Sequence, residues 1–146
     1  MKRTAEAVWS GGLKDGKGSI SMQSGVLKDS PYTFKARFED ESGKSATNPE
    51  ELIAAAHASC FTMQLSFFLQ EAGHPAAKLT THSEVTVGPV EGKGNTISKS
   101  ALTLRGNVPG MSEEQFLELA NKAKASCPVS RALGAIEITL DAKLES

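Results

Sequence analysis

The chain has 146 residues, a length that suits one domain built around one sizeable core. Its 16 basic and 17 acidic side chains nearly balance, so no field of one sign exists to attract nucleic acid. The first six residues, Met-Lys-Arg-Thr-Ala-Glu, lack the apolar run of a secretory signal, and we therefore expect a cytoplasmic protein.

The N-terminal third contains short extended segments separated by glycine-rich turns. Residues 5–9 and 19–24 have the composition of strands, and Gly-Gly and Gly-Lys-Gly sequences lie between them, which predicts a hairpin. Residues 32–38 alternate between apolar and polar side chains. This alternation predicts a third strand with Phe34, Ala36 and Phe38 on one face and Arg37 on the other.

A long helix is predicted over residues 47–72. Asn48 and Pro49 with acidic residues behind them are typical of a helix start, and Gly73 with Pro75 marks its end. Apolar and small residues fill most of its circumference, so we expect it to be buried on most sides and to form the centre of the fold. Polar residues interrupt the segment and argue against a membrane span. The principal apolar stripe comprises Leu52, Ile53, Ala56, Cys60, Met63 and Phe67.

The C-terminal half contains a predicted hairpin, a helix and a last strand. Alternation over residues 79–87 and 96–105 indicates the hairpin, and Ser112 followed by Gln115 forms a capping box at the helix start. Pro128 ends that helix, and we predict a short helical turn over residues 128–133 with Cys127 as its N-cap. Residues 136–144 alternate as a strand. The element order predicts one α+β domain, residues 1–146, with mainly antiparallel strands wrapped around two central helices.

The candidate reactive groups are two cysteines on the inward stripes of the two helices. Folding could bring Cys60 and Cys127 together as a redox pair, but both could equally be small buried hydrophobic residues. A metal site is not predicted, because the chain has no Cys-x-x-Cys and its three histidines are scattered. His57 does share a helical face with Cys60, although such a pair is more often simply two helical neighbours.

A reactive thiolate needs a nearby positive charge, and Arg37 is the candidate to supply it for Cys60. Either Glu50 or Glu51 could hold its guanidinium group, leaving donors free for the sulfur and an incoming oxygen. The alternative is that the arginine is solvated and both glutamates only complement the helix dipole. Local electrostatics alone favours Cys127 as the attacking thiol, because Cys127 would lie at a helix N-terminus.

Five segments of the chain resemble one family of bacterial thiol peroxidases, the osmotically inducible protein C and organic hydroperoxide resistance proteins. The longest are Thr-Asn-Pro-Glu-Glu-Leu at residues 47–52, Ala-Ala-Ala-His-Ala-Ser-Cys-Phe at 54–61 and Lys-Ala-Lys-Ala-Ser-Cys-Pro-Val-Ser at 122–130. Ser-Gly-Val-Leu at 24–27 and the segment from Pro31 to Glu39 resemble the osmotically inducible branch. The resemblance covers nearly the whole chain.

This resemblance implies an activity and assigns roles to four residues. Cys60 would be the peroxidatic thiol and Cys127 the resolving thiol, against the local electrostatic argument, with Arg37 and Glu50 as the charged pair. The implied cycle reduces an organic hydroperoxide to an alcohol without a metal or bound cofactor. An external dithiol, for which a lipoyl-type compound is one candidate, would reduce the disulfide. The family also implies an intertwined homodimer with two sites at its interface.

The position of the arginine differs between the two branches of this family. The organic hydroperoxide branch takes it from nearer the N-terminus, where Lys14 and Lys17 stand here, so the assignment to Arg37 follows the osmotically inducible branch. An apolar pocket would favour alkyl or aryl hydroperoxides over hydrogen peroxide. We expect several of five residues to line it: Phe34, Phe38, Phe61, Met63 and Phe67.

Two other functions fit the same sequence. A stress-induced protein could bind an apolar ligand around the long helix and leave both cysteines inert. A thioesterase-like enzyme would also suit a long helix wrapped by antiparallel strands. Peroxide-dependent loss of two thiols per chain distinguishes the peroxidase from the first alternative, and thioester turnover without the cysteines would indicate the second.

Overall fold

The computed structural model describes residues 1–145, which fall into two compact units, residues 1–52 and the chain from Ile53 onward. Six strands and four helices occur in the described chain. The prediction of one domain over residues 1–146 stays a prediction. In chain order the elements are β1 Ala5–Ser10, β2 Lys17–Met22, β3 Ser30–Tyr32, α1 Phe34–Phe38, α2 Pro49–Glu71, β4 Lys78–Val90, β5 Gly94–Asn107, α3 Glu113–Ser126, α4 Pro128–Ala132 and β6 Glu137–Glu145.

The N-terminal unit is an antiparallel sheet in the order β1-β2-β3, followed by α1. Glycine is required near the start of β2, because a Cβ atom on Gly18 would clash with the rings of Trp9 and Tyr32. These two rings lie against each other with centroids 5.4 Å apart. The sheet therefore presents an aromatic surface at the point where the chain enters α1.

The predicted strand over residues 32–38 is wrong, because β3 ends at Tyr32 and α1 begins at Phe34. Thr33 is the N-cap of this helix, and its hydroxyl accepts a hydrogen bond from the Ala36 N–H at 3.0 Å. Phe34 and Phe38 are four residues apart, so they share a face in a helix as well as in a strand. Their rings meet with centroids 5.2 Å apart, and the sequence alternation could not distinguish the two structures.

The C-terminal unit contains a second sheet in the order β4-β5-β6. β4 and β5 form the predicted antiparallel hairpin, whereas β5 and β6 run parallel. Parallel neighbours need a long crossover connection, and α3 with α4 provides it here. The α+β class and the mainly antiparallel pairing are confirmed.

The helix α2, Pro49–Glu71, lies within the predicted range of residues 47–72. The Asn48 side chain accepts a hydrogen bond from the Glu51 N–H at 2.8 Å, and Gly73 adopts a positive φ of 80° after the last turn. One face, formed by residues four apart, packs into the core of the C-terminal unit. This buried face consists of His57, Phe61, Leu65 and Leu69.

The expectation that α2 is buried on most sides is wrong. Met63 and Phe67, from the predicted apolar stripe, are 75% and 54% exposed. Because apolar residues surround this helix almost evenly, their spacing does not identify the buried face. By length and composition alone, α2 is long and apolar enough to cross a membrane, and 22% of its most apolar stretch of 18 residues is buried.

The helix α3 closes the core of the C-terminal unit. Its capping box forms as predicted, with Ser112 and Gln115 each accepting from the other's backbone N–H. Its buried face begins at Phe116 and ends at Cys127 directly after the helix. The fully buried side chains of this core are Phe61, Leu65, Leu69, Leu104, Phe116, Ala120, Ala123 and Cys127.

Candidate active site

The structure brings the two cysteine thiols into contact. Cys60 lies on α2 and Cys127 lies between α3 and α4, and their Sγ atoms are 2.9 Å apart. Both are free thiols. Cys127 is fully buried, whereas Cys60 is partly exposed. An incoming molecule can therefore reach Cys60 first, in contrast to the argument from local electrostatics that favoured Cys127.

Pro128 explains why Cys127 lies at a break between two helices. The residue before a proline is disfavoured in helical conformation, and Cys127 has φ −55° and ψ 126°. Its N–H still donates to the Ala123 carbonyl at 2.9 Å, and its own carbonyl accepts from the Arg131 N–H at 3.0 Å. The backbone of Cys127 thus belongs to both helices, which fixes the position of its side chain.

The surroundings of Cys60 in the C-terminal unit favour its protonated form. Burial raises the pKa of Cys60, and the neighbouring Cys127 thiol raises it further. The backbone N–H of Val129, in the first turn of α4, opposes this effect as a hydrogen-bond donor to the sulfur. Among the described residues of the C-terminal unit, no cation contributes to the pKa of Cys60. A thiolate at this position therefore needs a positive charge from elsewhere.

In the N-terminal unit, Arg37 forms a bidentate ion pair with Glu50. The Nη2 atom of Arg37 donates to Oε1 of Glu50 at 2.7 Å and Nε donates to Oε2 at 3.3 Å. The sequence left Glu50 and Glu51 as alternatives, and Glu51 instead accepts from the Thr47 hydroxyl at 2.7 Å. Nη1 of Arg37 takes no part in this ion pair, so Glu50 fixes the guanidinium group while the N–H groups of Nη1 can donate to another acceptor.

A cavity of about 280 Å³ lies beside this arginine within the N-terminal unit. Phe34 and Phe38, two of the five residues predicted for an apolar pocket, line it together with aromatic residues of the sheet. The prediction that Phe61 lines the pocket is wrong, because its side chain is fully buried in the core of the C-terminal unit. Met63 and Phe67 are exposed and do not line this cavity. The complete lining is Trp9, Leu13, Tyr32, Thr33, Phe34, Arg37 and Phe38.

His57 forms a buried hydrogen-bond bridge that the sequence did not identify. Its Nδ1 is 2.7 Å from the Ser100 hydroxyl on β5, and its Nε2 is 2.8 Å from the Ser130 hydroxyl on α4. Burial lowers the pKa of His57, which favours the neutral imidazole. Within residues 1–145 no group of three or more metal-binding side chains is placed to hold an ion. One feature of the sequence could have indicated the bond from His57 to Ser130: each of these residues lies three positions from a cysteine of the pair.

The sequence itself matches a known family. A family model described as "OsmC-like protein" matches residues 41–141, more than half of the chain. The chain belongs to the OsmC-like protein family. Among curated relatives, "Peroxiredoxin OsmC" of Escherichia coli is 48% identical over 146 residues, covering 100% of this chain and 99% of that protein. This match confirms the resemblance that the sequence motifs indicated.

More distant OsmC-like proteins agree in sequence and in fold. "Organic hydroperoxide resistance protein OhrB" of Bacillus subtilis is 30% identical over 127 residues, covering 86% of this chain and 89% of that protein. Its crystal structure superposes with a TM-score of 0.71, covering 96% and 98% of the two chains at 29% identity. An OsmC-like protein from Mycoplasma pneumoniae, at 15% identity, shares the fold alone, with a TM-score of 0.76 and coverage of 100% and 99%. The expectation of a peroxidase of this family is confirmed.

Proposed function

We propose that this protein reduces organic hydroperoxides to alcohols through a thiol cycle at Cys60 and Cys127. The contact of 2.9 Å between the two sulfurs is the observation that carries the proposal. A disulfide can form only between cysteines that the fold brings this close, and 67 positions separate them in sequence. The names of the relatives, a peroxiredoxin and organic hydroperoxide resistance proteins, support the same chemistry.

The first step is attack by the Cys60 thiolate on the outer oxygen of the hydroperoxide. The O–O bond breaks, the sulfur becomes a sulfenic acid, and the alkoxide leaves as an alcohol after taking up a proton. Cys60 is suited to this step because it is the more exposed of the two thiols. Cys127, with no exposed surface, is suited to the second step.

The second step joins the two cysteines. The Cys127 sulfur attacks the sulfenic sulfur, the S–O bond breaks, and the oxygen leaves as water with the thiol proton. The disulfide protects Cys60 from further oxidation. An external dithiol, lipoyl-type compounds being candidates, returns both residues to thiols and is itself oxidised to a disulfide.

Arg37 and Glu50 are proposed as the charged pair of this site. The raised pKa of Cys60 disfavours the thiolate, so the first step requires a cation that stabilises the thiolate and the charge that develops on oxygen. The bidentate bond to Glu50 holds the guanidinium group in one orientation, which is the property that such a role needs. Aromatic residues around Arg37 would suit the organic portion of an alkyl or aryl hydroperoxide.

We further propose that the protein acts as an intertwined homodimer in the cytoplasm. Exposed Met63 and Phe67 leave one face of α2 apolar, and a partner subunit would cover it. The relative from Escherichia coli is matched over 99% of its length, which supports the further proposal that residues 1–146 form one OsmC-like domain. Analytical ultracentrifugation measures the dimer directly, and a monomer at micromolar concentration would contradict this part of the proposal.

Thiol counting under anaerobic conditions tests the proposed activity. Reduced protein is titrated with cumene hydroperoxide, and free thiols are counted after each addition. We expect both thiols of each chain to disappear with about one equivalent of peroxide, because one disulfide forms per turnover. A protein that binds an apolar ligand in the aromatic cavity and keeps both thiols would support the alternative of a stress-induced binding protein with inert cysteines.

A further inference from the structure

Two parallel contacts join α2 to the segment that carries Cys127. Cys60 meets Cys127 with 2.9 Å between the sulfurs, and His57 meets Ser130 with 2.8 Å between Nε2 and the hydroxyl oxygen. His57 and Cys60 are three positions apart on α2, and Ser130 on α4 is three positions after Cys127, the N-cap of that helix, so the two contacts lie about one helical turn from each other. Both the imidazole and the Ser130 side chain are buried, at 0% and 4% exposure.

The helix α4 depends on contacts with the rest of the C-terminal unit, where Val129 packs against the core. It is five residues long, and helices of this length are not stable on their own in water. Its first residue is Pro128, which lacks an N–H, and Cys127 makes no side-chain capping bond to it. Contacts with the rest of the unit must therefore hold α4. The bond from Ser130 to His57 connects α4 to α2 through two buried side chains, and the Val129 N–H also donates to the Cys60 sulfur.

The imidazole is itself held from the opposite side. Ser100 on β5 contacts Nδ1 at 2.7 Å, and Ser83 on β4 contacts the Ser100 hydroxyl at 3.2 Å. A neutral imidazole has one N–H donor and one acceptor nitrogen, so it can donate to one serine and accept from the other. No buried side-chain nitrogen or oxygen lacks a partner among residues 1–145. The chain of four side chains thus connects α4 to the centre of the sheet.

We propose that His57 and Ser130 are positioning residues for the resolving step, holding Cys127 against Cys60 while the sulfenic acid condenses. The inference rests on the proposed function, since the step is the attack of the Cys127 sulfur on the Cys60 sulfenic acid with loss of water. Condensation requires α4 to remain docked after the Cys60 sulfur has gained an oxygen, so that the Cys127 sulfur can attack opposite the S–O bond that breaks. A side-chain hydrogen bond one turn away supplies this restraint without touching the reacting atoms.

Ser130→Ala and Ser100→Ala form a matched pair of variants for the test. Each removes one hydroxyl from the same buried imidazole, but only the first removes the bond to the helix segment that carries Cys127. Rapid-mixing experiments separate the two oxidation steps by their rates, and mass spectrometry counts over-oxidised Cys60. We expect Ser130→Ala to slow disulfide formation about tenfold and to increase over-oxidation, with the first oxidation within about twofold of wild type. Ser100→Ala should resolve at nearly the wild-type rate.

A second measurement does not depend on peroxide. In a Cys60→Ser background, a small alkylating reagent can reach the buried Cys127 only when its surroundings open. Adding Ser130→Ala should increase the alkylation rate of Cys127 about tenfold, whereas adding Ser100→Ala should change it by less than about threefold. Thermal unfolding of all variants confirms that each is folded at the temperature of the assay.

Several outcomes would overturn the inference. Equal slowing of disulfide formation by Ser130→Ala and Ser100→Ala would show that the bridge acts through general stability. Wild-type resolution and wild-type alkylation in Ser130→Ala would show that other contacts hold α4. If wild-type protein loses no thiols to peroxide, the proposed function fails, and the alkylation ratio alone then decides whether the Ser130 bond holds Cys127.

Discussion

Replacing Arg37 by alanine tests the proposed source of positive charge most directly. The guanidinium group makes two hydrogen bonds to Glu50, of 2.7 and 3.3 Å, and its side chain is 35% exposed. Loss of one positioned donor that stabilises charge in a transition state typically costs about 2.7–4 kcal/mol, or roughly 10²–10³ in rate. The Glu50 carboxylate cancels part of the positive field, so we take the lower end and expect about 100-fold slower oxidation of Cys60.

The pH dependence of the same reaction gives the sign of the effect. Burial already raises the pKa of Cys60. In the proposed role of Arg37, removal of its charge would raise this pKa further, so the thiolate fraction at neutral pH would fall. We therefore expect the deficit of Arg37→Ala to be largest at low pH and to shrink as the pH rises through the raised pKa. Arg37→Lys should recover only part of the rate, because an ammonium group cannot hold Glu50 and a peroxide oxygen in the geometry of the fork.

Stopped-flow oxidation by cumene hydroperoxide measures these rates in wild type, Arg37→Ala and Arg37→Lys, with circular dichroism to verify folding. Arg105→Ala is a matched control, because Arg105 also pairs with a carboxylate, Asp141 at 3.0 Å, and is 34% exposed. We expect this control to react within about twofold of wild type, since an exposed ion pair contributes little to stability. Wild-type reactivity of folded Arg37→Ala near neutral pH would refute the proposed role and move the search for the cation to Lys14 or Lys17.

Three further predictions follow from the C-terminal unit. Cys60→Ser should consume no peroxide, whereas Cys127→Ser should consume about one equivalent and then over-oxidise; the reverse result in single-turnover assays would exchange their roles. Because burial lowers the pKa of His57 in the folded protein, the unfolded chain binds one more proton at acidic pH. The free energy of unfolding, measured with urea, should therefore fall as the pH drops below about 6.5, by up to about 1.4 kcal/mol per pH unit. A difference in this free energy between wild type and His57→Asn that does not change with pH would contradict the prediction. Leu65→Ala should lower the free energy of unfolding by about 2–5 kcal/mol in urea titrations, and exposed Met63→Ala by less than about 1 kcal/mol; equal losses would contradict the assigned buried face.

The helix boundaries were predictable because their signals are local. Asn48 before Pro49, the Ser112 capping box and the interruption by Pro128 each act within one turn of the chain, and the structure contains all three. The prediction of a strand over residues 32–38 was wrong, because the five residues of α1 are too few to distinguish a period of two from the period of a helix. The decisive signal there was Thr33, whose capping hydroxyl was not recognised.

The candidate site was predictable only in part. Nothing in the residues alone chose between a redox pair and two inert thiols, and the family resemblance supplied the roles of Cys60 and Cys127. The choice of Glu50 over Glu51 depends on the direction in which the first turn of α2 faces, which the apolar spacing did not determine. His57 was interpreted as a helical neighbour of Cys60 and not as a hydrogen-bond bridge, because its partners lie 43 and 73 positions away in sequence.

The proposed disulfide between the two thiols would couple the oxidation state of the protein to its resistance to unfolding. A bond between residues 67 positions apart would close a large loop in the unfolded chain, and the loop-entropy relation gives a stabilisation of about 4 kcal/mol. By thermodynamic reciprocity, the folded protein favours formation of the bond by the same amount over the unfolded chain. Each catalytic cycle would therefore alternate between a less stable reduced form and a more stable oxidised form. Thermal unfolding would then report what fraction of the protein is in the oxidised, disulfide-bonded form.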